Sequence, residues 1–210
     1  MNSLIVPILV PFFTALVLTL LQGKQTAQKV VSFVSAFGLT IYVFWLMLYV
    51  DANGIQAVVM GGWAAPWGIP FVADRLACIM LCLSMSVGTV ALVFTFSTVT
   101  DTQQKHFFYP FLQVVLLGVN WAFLSGDLFN LFVAYEVMLL GSYGMMMVGA
   151  SKPQLRETLK YIAINSVGST LFVSACGFIY ATVGTLNMAD LTARTAELSG
   201  PQAVSYTHLT

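Results

Sequence analysis

Charged side chains are scarce in this chain of 210 residues, which contains eight Lys+Arg, eight Asp+Glu and two His. Charged residues make up 8% of it, compared with about 25% in a typical globular domain. The net charge of zero excludes a basic nucleic-acid-binding protein, and the few acids exclude a long acidic tail. The three cysteines lie inside apolar runs, so the sequence predicts no disulfide framework, no metal site and no cofactor.

Apolar residues make up 59% of the chain, and the mean hydropathy is +0.88. A water-soluble fold cannot hide this much apolar surface, so lipid must be the solvent. Backbone groups in lipid bond within their own segment, which favours helices of about 20 residues, and the alternating segments of a membrane barrel are missing from the sequence. We therefore predict an all-α polytopic membrane protein with about six transmembrane helices at Leu4–Leu21, Val30–Val50, Leu76–Thr98, Phe107–Leu124, Leu128–Ala150 and Tyr161–Val183.

Basic residues are divided unevenly between the loops. The loops after helices one, three and five contain six of them, namely Lys24, Lys29, Lys105, Lys152, Arg156 and Lys160. The loops after helices two, four and six contain only Arg75 and Arg194. The positive-inside rule then predicts that the N-terminus lies outside and that Lys24, Lys105 and Lys152 lie in the cytoplasm. The segment Asp51–Asp74 is predicted to be a turn-rich outer loop, with Trp63 and Trp67 at the level of the lipid headgroups.

The end of the chain differs in character from the rest. A turn at Gly184–Leu191 and a short amphipathic stretch to Leu198 are followed by no further apolar run. Six helices of this kind usually belong to a larger bundle, so we expect a truncated reading frame in which residues 204–210 are foreign. A natural short tail is the alternative. We expect three regions: residues 1–100 with helices one to three, residues 101–198 with helices four to six, and an irregular tail at 199–210.

Glu136 is the acid that the sequence places closest to the middle of a membrane span, about nine residues into the fifth helix. A charge at that depth costs at least ~2.5–3.5 kcal/mol, so an acid there is a functional-site hypothesis. Lipid favours the neutral carboxyl group unless a cation is near, which suits proton binding and release. The alternative is a structural hydrogen bond to a neighbouring helix.

Five further residues are weaker candidates for a proton path. Asn120, Asn130 and Asn165 lie in or near spans, where interhelical hydrogen bonds are favoured and contact with path waters is the alternative. His106 and Lys160 lie at the inner ends of helices four and six. Solvation at the interface is favoured for both, and proton entry is the alternative.

Structural roles are predicted at helix ends and along one helix face. Asp74 complements the N-terminus of helix three, and Arg75 beside it reaches the interface. Asp127 follows a Ser-Gly turn and is the predicted cap of helix five. Cys82 and Ser86, four residues apart, predict close helix packing because both side chains are small.

Several motifs resemble the antiporter-like subunits shared by Mrp-type Na⁺/H⁺ antiporters and respiratory complex I. They are DLFNLFVAYEVMLLGSY at 127–143, FVADRLA at 71–77, LKY at 159–161 with Asn165, and GTLNMADL at 184–191. The resemblance spans roughly residues 4–198. Within that superfamily, DLFNLFV followed by EVML is most similar to the D subunit of Mrp complexes, since complex I relatives more often have Trp where Tyr135 stands.

The resemblance implies a fold of about fourteen helices with two inverted five-helix repeats, the first formed by helices four to eight. It also implies that Glu136 is the essential acid of the fifth helix, which in relatives faces a Lys on a broken seventh helix. That Lys has no counterpart in this sequence.

The implied function is that of a transporter subunit rather than an enzyme. It would belong to a multi-subunit monovalent cation (Na⁺)/proton antiporter in the lipid bilayer of a bacterial plasma membrane and contribute the acid of a proton half-channel. The implied partners are the other membrane subunits of an Mrp-type complex, protons and Na⁺, with no nucleic acid. The alternative is a proton-translocating membrane-arm subunit of NADH:quinone oxidoreductase or a related membrane hydrogenase, whose redox centres lie in other subunits.

Overall fold

The computed structural model describes residues 2–63, 67–99, 107–149 and 151–196. The candidate His106 and the predicted tail at 199–210 lie outside these residues. A 3₁₀ turn at Asn2–Ile5 precedes the first helix. The elements are α1 (Val6–Leu20), α2 (Gln25–Asn53), β1 (Gln56–Met60), β2 (Ile69–Ala73), α3 (Arg75–Thr98), α4 (Phe108–Leu124), α5 (Leu128–Met147), α6 (Lys152–Val183) and α7 (Met188–Thr195).

Within the described ranges, five segments are long and apolar enough to cross a membrane: Ser3–Leu20, α2, α3, α5 and α6. Helix α4 is also apolar but has 17 residues. The helical membrane fold predicted from the hydrophobic runs is confirmed, and the chain is a multi-pass membrane protein.

The predicted start of the sixth helix was wrong, because α6 begins at Lys152 rather than at Tyr161. Ser151 and Gln154 form a capping box in which the Ser151 hydroxyl accepts the Gln154 N–H and the Gln154 side chain accepts the Ser151 N–H. Pro153 lies in the first turn of α6. Its lack of an N–H costs nothing there, because the N–H groups of a first turn have no acceptor within the helix. The first turns of α6 contain several charged residues, so a search for apolar runs does not include them in the helix.

The outer loop predicted at Asp51–Asp74 contains an antiparallel hairpin, in which Gln56 pairs with Ala73 and Met60 with Ile69. Gly61 and Gly62 follow β1 with φ of +74° and +72°, values that other residues rarely adopt. Little alternation between apolar and polar residues marks these strands, so periodicity does not reveal them.

Three turns meet at the end of the bundle that contains the hairpin, which we call the hairpin end. The Gly126 N–H between α4 and α5 donates to the Pro70 carbonyl in β2 at 3.0 Å. The Met188 N–H donates to the Gly126 carbonyl at 3.0 Å, and the Leu128 N–H donates to the Leu186 carbonyl at 3.0 Å. These backbone bonds fix the start of α5 and the end of α6 relative to one another.

The main core fills the bundle of α1 to α4, with fully buried side chains on each helix, including Leu18, Leu46, Leu81, Met85, Tyr109 and Leu124. This core continues across residue 100, where a region boundary was predicted. Cys82 is buried and its thiol donates to the Val43 carbonyl at 3.5 Å, as expected for close helix packing. Helix α5 packs on α4 through Gly118, Gly141 and Gly144, and α6 packs on the other side of α5.

Candidate functional site

Glu136 lies near the middle of α5, half-buried, on the side that faces α6. The hydroxyl of Ser169 on α6 donates a hydrogen bond to its carboxylate oxygen Oε1. None of the ion pairs found among the described residues includes Glu136. A hydroxyl of the facing helix is therefore the group that bonds to this acid in the described part of the chain.

A cavity of about 260 Å³ opens between α5 and α6 at this contact, and Glu136 is in its wall. The other lining residues are Phe132, Tyr135, Met138, Leu139, Asn165, Gly168, Ser169 and Phe172. The Phe132 ring stacks on the Phe172 ring at 6.0 Å between centroids, and the Tyr135 ring meets Phe172 edge-on at 6.3 Å. Most of the wall is apolar, so a polar or charged species entering the cavity meets few groups other than the acid and its hydroxyl partner.

Helical spacing places these side chains together. Asn165, Ser169 and Phe172 recur on α6 at intervals of four and three residues, which puts them on one face. Phe132 and Glu136 are likewise four residues apart on α5. The Asn165 amide Nδ2 donates to the Tyr161 carbonyl of its own helix at 2.9 Å. Of the weaker candidates that the structure describes, Asn165 is the one that lines the cavity with Glu136.

Lys160 does not line this cavity. It is exposed and pairs with Glu157 of its own helix at 2.8 Å, with about half of each side chain accessible (55% and 60%). Exposed pairs of this kind contribute little to stability.

The two remaining asparagines serve helix packing. Asn120 is fully buried in the α1–α4 bundle, where its Nδ2 donates to the Pro7 carbonyl at 3.0 Å. Asn130 accepts the Trp121 indole N–H at 2.9 Å near the hairpin end. Both make interhelical or turn hydrogen bonds away from the Glu136 cavity.

The acids at the helix starts act as caps. The Asp74 carboxylate accepts the Ala77 N–H at 2.7 Å, and the Asp127 carboxylate accepts the Asn130 N–H at 3.0 Å. Arg75 pairs with Asp51 at 2.8 Å, with both side chains mostly exposed. These residues hold the ends of α3 and α5 in place.

Ser169 is the site residue that sequence reasoning missed. A serine in a membrane helix usually bonds its own backbone, so its type carries no functional signal. The sequence could have indicated Ser169 through its spacing, because it lies four residues after Asn165 and therefore on the same face of α6.

A carboxyl group in an apolar cavity can bind and release a proton while a neighbouring hydroxyl stays hydrogen-bonded to it in both states. The hydroxyl donates to the carboxylate when the acid is ionised, and hydrogen bonds to charged acceptors are the stronger ones. When the acid is protonated, the same hydroxyl can turn and accept, because a serine oxygen has both capacities.

The part of the chain that contains this site is similar to a known family of membrane proteins. Residues 125–208 match the family described as NADH:quinone oxidoreductase/Mrp antiporter, TM. The Na⁺/H⁺ antiporter D subunit of Alkalihalophilus pseudofirmus is 45% identical over 197 residues, covering 94% of this chain and 40% of the relative. The chain is a homologue of this antiporter subunit. The corresponding D subunit of Bacillus subtilis is 40% identical over 197 residues, covering 93% of this chain and 40% of that relative.

The chain thus spans about two fifths of the length of the curated relatives it matches. The solved Mrp complex of a Dietzia species contains a chain that is 28% identical, with a TM-score of 0.82 over 93% of this chain and 39% of that one. An archaeal membrane-bound sulfane sulfur reductase shares the fold at 23% identity, with a TM-score of 0.88 over 100% of this chain and 43% of that one. The resemblance to the antiporter D subunit and the antiporter-like fold are confirmed.

Proposed function

We propose that this chain is part of a membrane subunit of a multi-subunit monovalent cation (Na⁺)/proton antiporter, and that Glu136 is its proton-binding acid. The observation that carries the proposal is the Ser169 hydroxyl bonded to the Glu136 carboxylate inside the cavity between α5 and α6. The names of the two antiporter relatives and the Mrp complex structure support an antiporter with other membrane subunits as partners.

The mechanism follows from the environment of the acid. A cation that enters the cavity is attracted to the Glu136 carboxylate, to which the Ser169 hydroxyl donates a hydrogen bond. When the cation leaves, a proton can take its place on the same carboxylate. Two charge states of one acid are thus linked to two positions of a cation, and a proton gradient can drive Na⁺ in the opposite direction.

A membrane-arm subunit of an NADH:quinone oxidoreductase or related hydrogenase is the second candidate. The family description covers both classes, and the archaeal respiratory complex shares the fold. Proton exchange at Glu136 would be the same in both. The names of the two bacterial relatives favour the antiporter.

We further propose a bacterial plasma-membrane location with the N-terminus and the hairpin end outside. In the described part of the chain, Lys24, Lys29, Lys152, Arg156 and Lys160 all lie at or near the opposite end of the bundle, which supports a cytoplasmic placement of that end. Helices α4 to α6 would begin the proton-translocating domain, with α1 to α3 as the preceding region.

The test replaces Glu136 in the full-length subunit assembled with its partners. Glu136→Gln keeps the size and the hydrogen-bonding capacity and removes the titratable proton, so it should abolish Na⁺-dependent proton movement in membrane vesicles. Glu136→Asp keeps the acid but withdraws it from Ser169 by one methylene, so part of the activity should remain.

The matched control is Glu157→Gln, which makes the same chemical change at an exposed acid of α6. It should exchange ions at the normal rate, and all three variants should assemble. A Glu136→Gln variant that assembles and exchanges ions normally would show that this acid is structural.

A further inference from the structure

Three polar groups in the core of the α1–α4 bundle have no hydrogen-bond partner among the described residues. They are the Ser32 hydroxyl, the Tyr109 hydroxyl and the Gln113 amide nitrogen Nε2. The exposure of these residues is 0%, 0% and 1%. The Thr95 hydroxyl lies near the Tyr109 hydroxyl, but its own proton is donated to the Leu92 carbonyl at 2.6 Å. Nearly all buried polar groups in native proteins are paired with protein or water, so three orphans in one bundle require an explanation.

The register between α4 and α1 places two of these groups at one level. The two helices run antiparallel, and the Asn120 amide donates to the Pro7 carbonyl at 3.0 Å. Both helices rise by about 1.5 Å per residue. Gln113, seven residues before Asn120, therefore lies level with Thr14, and Tyr109 lies one turn further from the hairpin end.

The register between α2 and α1 places the third group at the same level. The Gln28 amide donates to the Leu18 carbonyl at 3.0 Å, and the hydroxyls of Ser35 and Thr14 are 2.7 Å apart. Ser32 lies between Gln28 and Ser35 on α2, so it is level with the stretch of α1 from Thr14 to Leu18. All three unpaired groups thus lie at the level of the last turns of α1.

An aromatic contact closes the same region from α3. The Phe96 ring lies 6.3 Å from the Tyr109 ring and 6.5 Å from the Phe33 ring, measured between centroids. Phe33 is the neighbour of Ser32 in the chain. Helices α2, α3 and α4 therefore converge where the unpaired groups lie.

We propose that Ser32, Tyr109 and Gln113, which we call the buried triad, bind internal water that bridges α2 to α4. Buried waters typically make about three hydrogen bonds to otherwise unpaired polar groups. A water here would accept from the Gln113 amide and donate to the two hydroxyl oxygens, which satisfies every orphan. The triad contains no acid, so its chemistry suits a neutral ligand rather than a cation, and it shares no residue with the wall of the Glu136 cavity.

The first test is X-ray radiolytic footprinting of the full chain in lipid nanodiscs, read by mass spectrometry. Radicals formed from bound water oxidise the side chains beside it, so Tyr109 should be oxidised although it is fully buried. In a Ser32→Ala/Gln113→Leu double variant, which removes two of the three ligands, this oxidation should fall to background. No oxidation of Tyr109, or oxidation that the double variant leaves unchanged, would overturn the proposal.

The second test is a double-mutant cycle on thermal unfolding in the same nanodiscs. In a dry site, Tyr109→Phe removes an unsatisfied hydroxyl and raises the melting temperature. In a hydrated site it breaks a water-mediated bond, so the temperature should fall, and fall less when Ser32 is already alanine. Tyr42→Phe is the matched control, because its hydroxyl donates directly to the Ser3 carbonyl at 2.6 Å and should not couple to Ser32. A higher melting temperature for Tyr109→Phe, or additive effects, would refute the bridge.

Discussion

Helices α4 and α5 touch backbone to backbone at Gly118, which makes Gly118→Ala a sharp test of the packing that positions Glu136. A Cβ at this residue would lie 2.6 Å from the Met138 nitrogen and 2.7 Å from its Cα. Ordinary contact begins at 3.4 Å, so the helices must separate by about 0.8 Å, the difference between 3.4 and 2.6. The obstructing atoms are backbone and cannot rotate away.

The size of the effect follows from two opposing terms. Overpacking a close-packed site costs ~1–3 kcal/mol. Replacing glycine by alanine inside a helix returns about 0.5–1 kcal/mol. The net expectation is a loss of up to about 2.5 kcal/mol in the free energy of unfolding, together with reduced transport, since Met138 also lines the Glu136 cavity.

The assay is thermal or detergent-induced unfolding of the full subunit in nanodiscs. Gly38→Ala is the matched control, because Gly38 lies inside helix α2 and a Cβ there would meet nothing within 4 Å. At Gly38 only the gain from replacing glycine by alanine inside a helix applies, so the control should be at least as stable as the parent protein. The two variants should differ in sign. Equal stabilisation by both would refute the close contact between α4 and α5.

Three further predictions concern orientation, packing and pH. Cysteines introduced within Ser151–Glu157 should resist a membrane-impermeant thiol reagent in intact cells, and ready labelling would reverse the proposed topology. Cys82→Trp should lower the folded yield because Cys82 is buried, whereas Met147→Trp, at a side chain 41% exposed, should be tolerated; equal yields would disprove the assigned face. The hydrogen bond from Arg194 lowers the pKa of Asp190 below its ordinary value, so its contribution to the stability of α7 is present at neutral pH and lost as the pH falls below about 4. Hydrogen-exchange protection across α7, measured relative to the exchange rate of an unfolded chain at the same pH, should therefore fall in acid, and unchanged protection there would contradict this.

The hydrophobic runs predicted most of the membrane helices because lipid imposes both the helix and its length. The start of α3 was predicted within one residue, with Asp74 as its cap. The start of α6 was not, because hydropathy detects the lipid-covered part of a helix and the first turns from Lys152 are charged. The capping box of Ser151 and Gln154 was visible in the sequence and is the better guide to where the backbone becomes helical.

The candidate site was predictable only on its acidic side. Glu136 stands out because an acid in an apolar run is rare and costly. Its partner Ser169 is 33 residues away on another helix, and serines are common in membrane helices, so only the packing of α6 on α5 selects it. The hydrogen bond of Asn120 inside the bundle could not be predicted either, because its partner Pro7 is 113 residues away and only the packing of the helices brings the two together.

The 32 residues of α6 give it a length of about 48 Å at 1.5 Å per residue. A hydrocarbon layer is about 30 Å thick, and even a tilt of about 40°, the upper end of the observed range, cannot bury a rod of this length. The charged turns from Lys152 to Lys160 must therefore stand in the headgroup layer or in water, while the hydrogen bonds around Leu186 hold the other end. Such a rod meets a thinner bilayer by leaning further. A larger tilt of α6 would move Ser169 relative to Glu136. We therefore expect the length of the lipid chains to change the geometry of the cavity between α5 and α6.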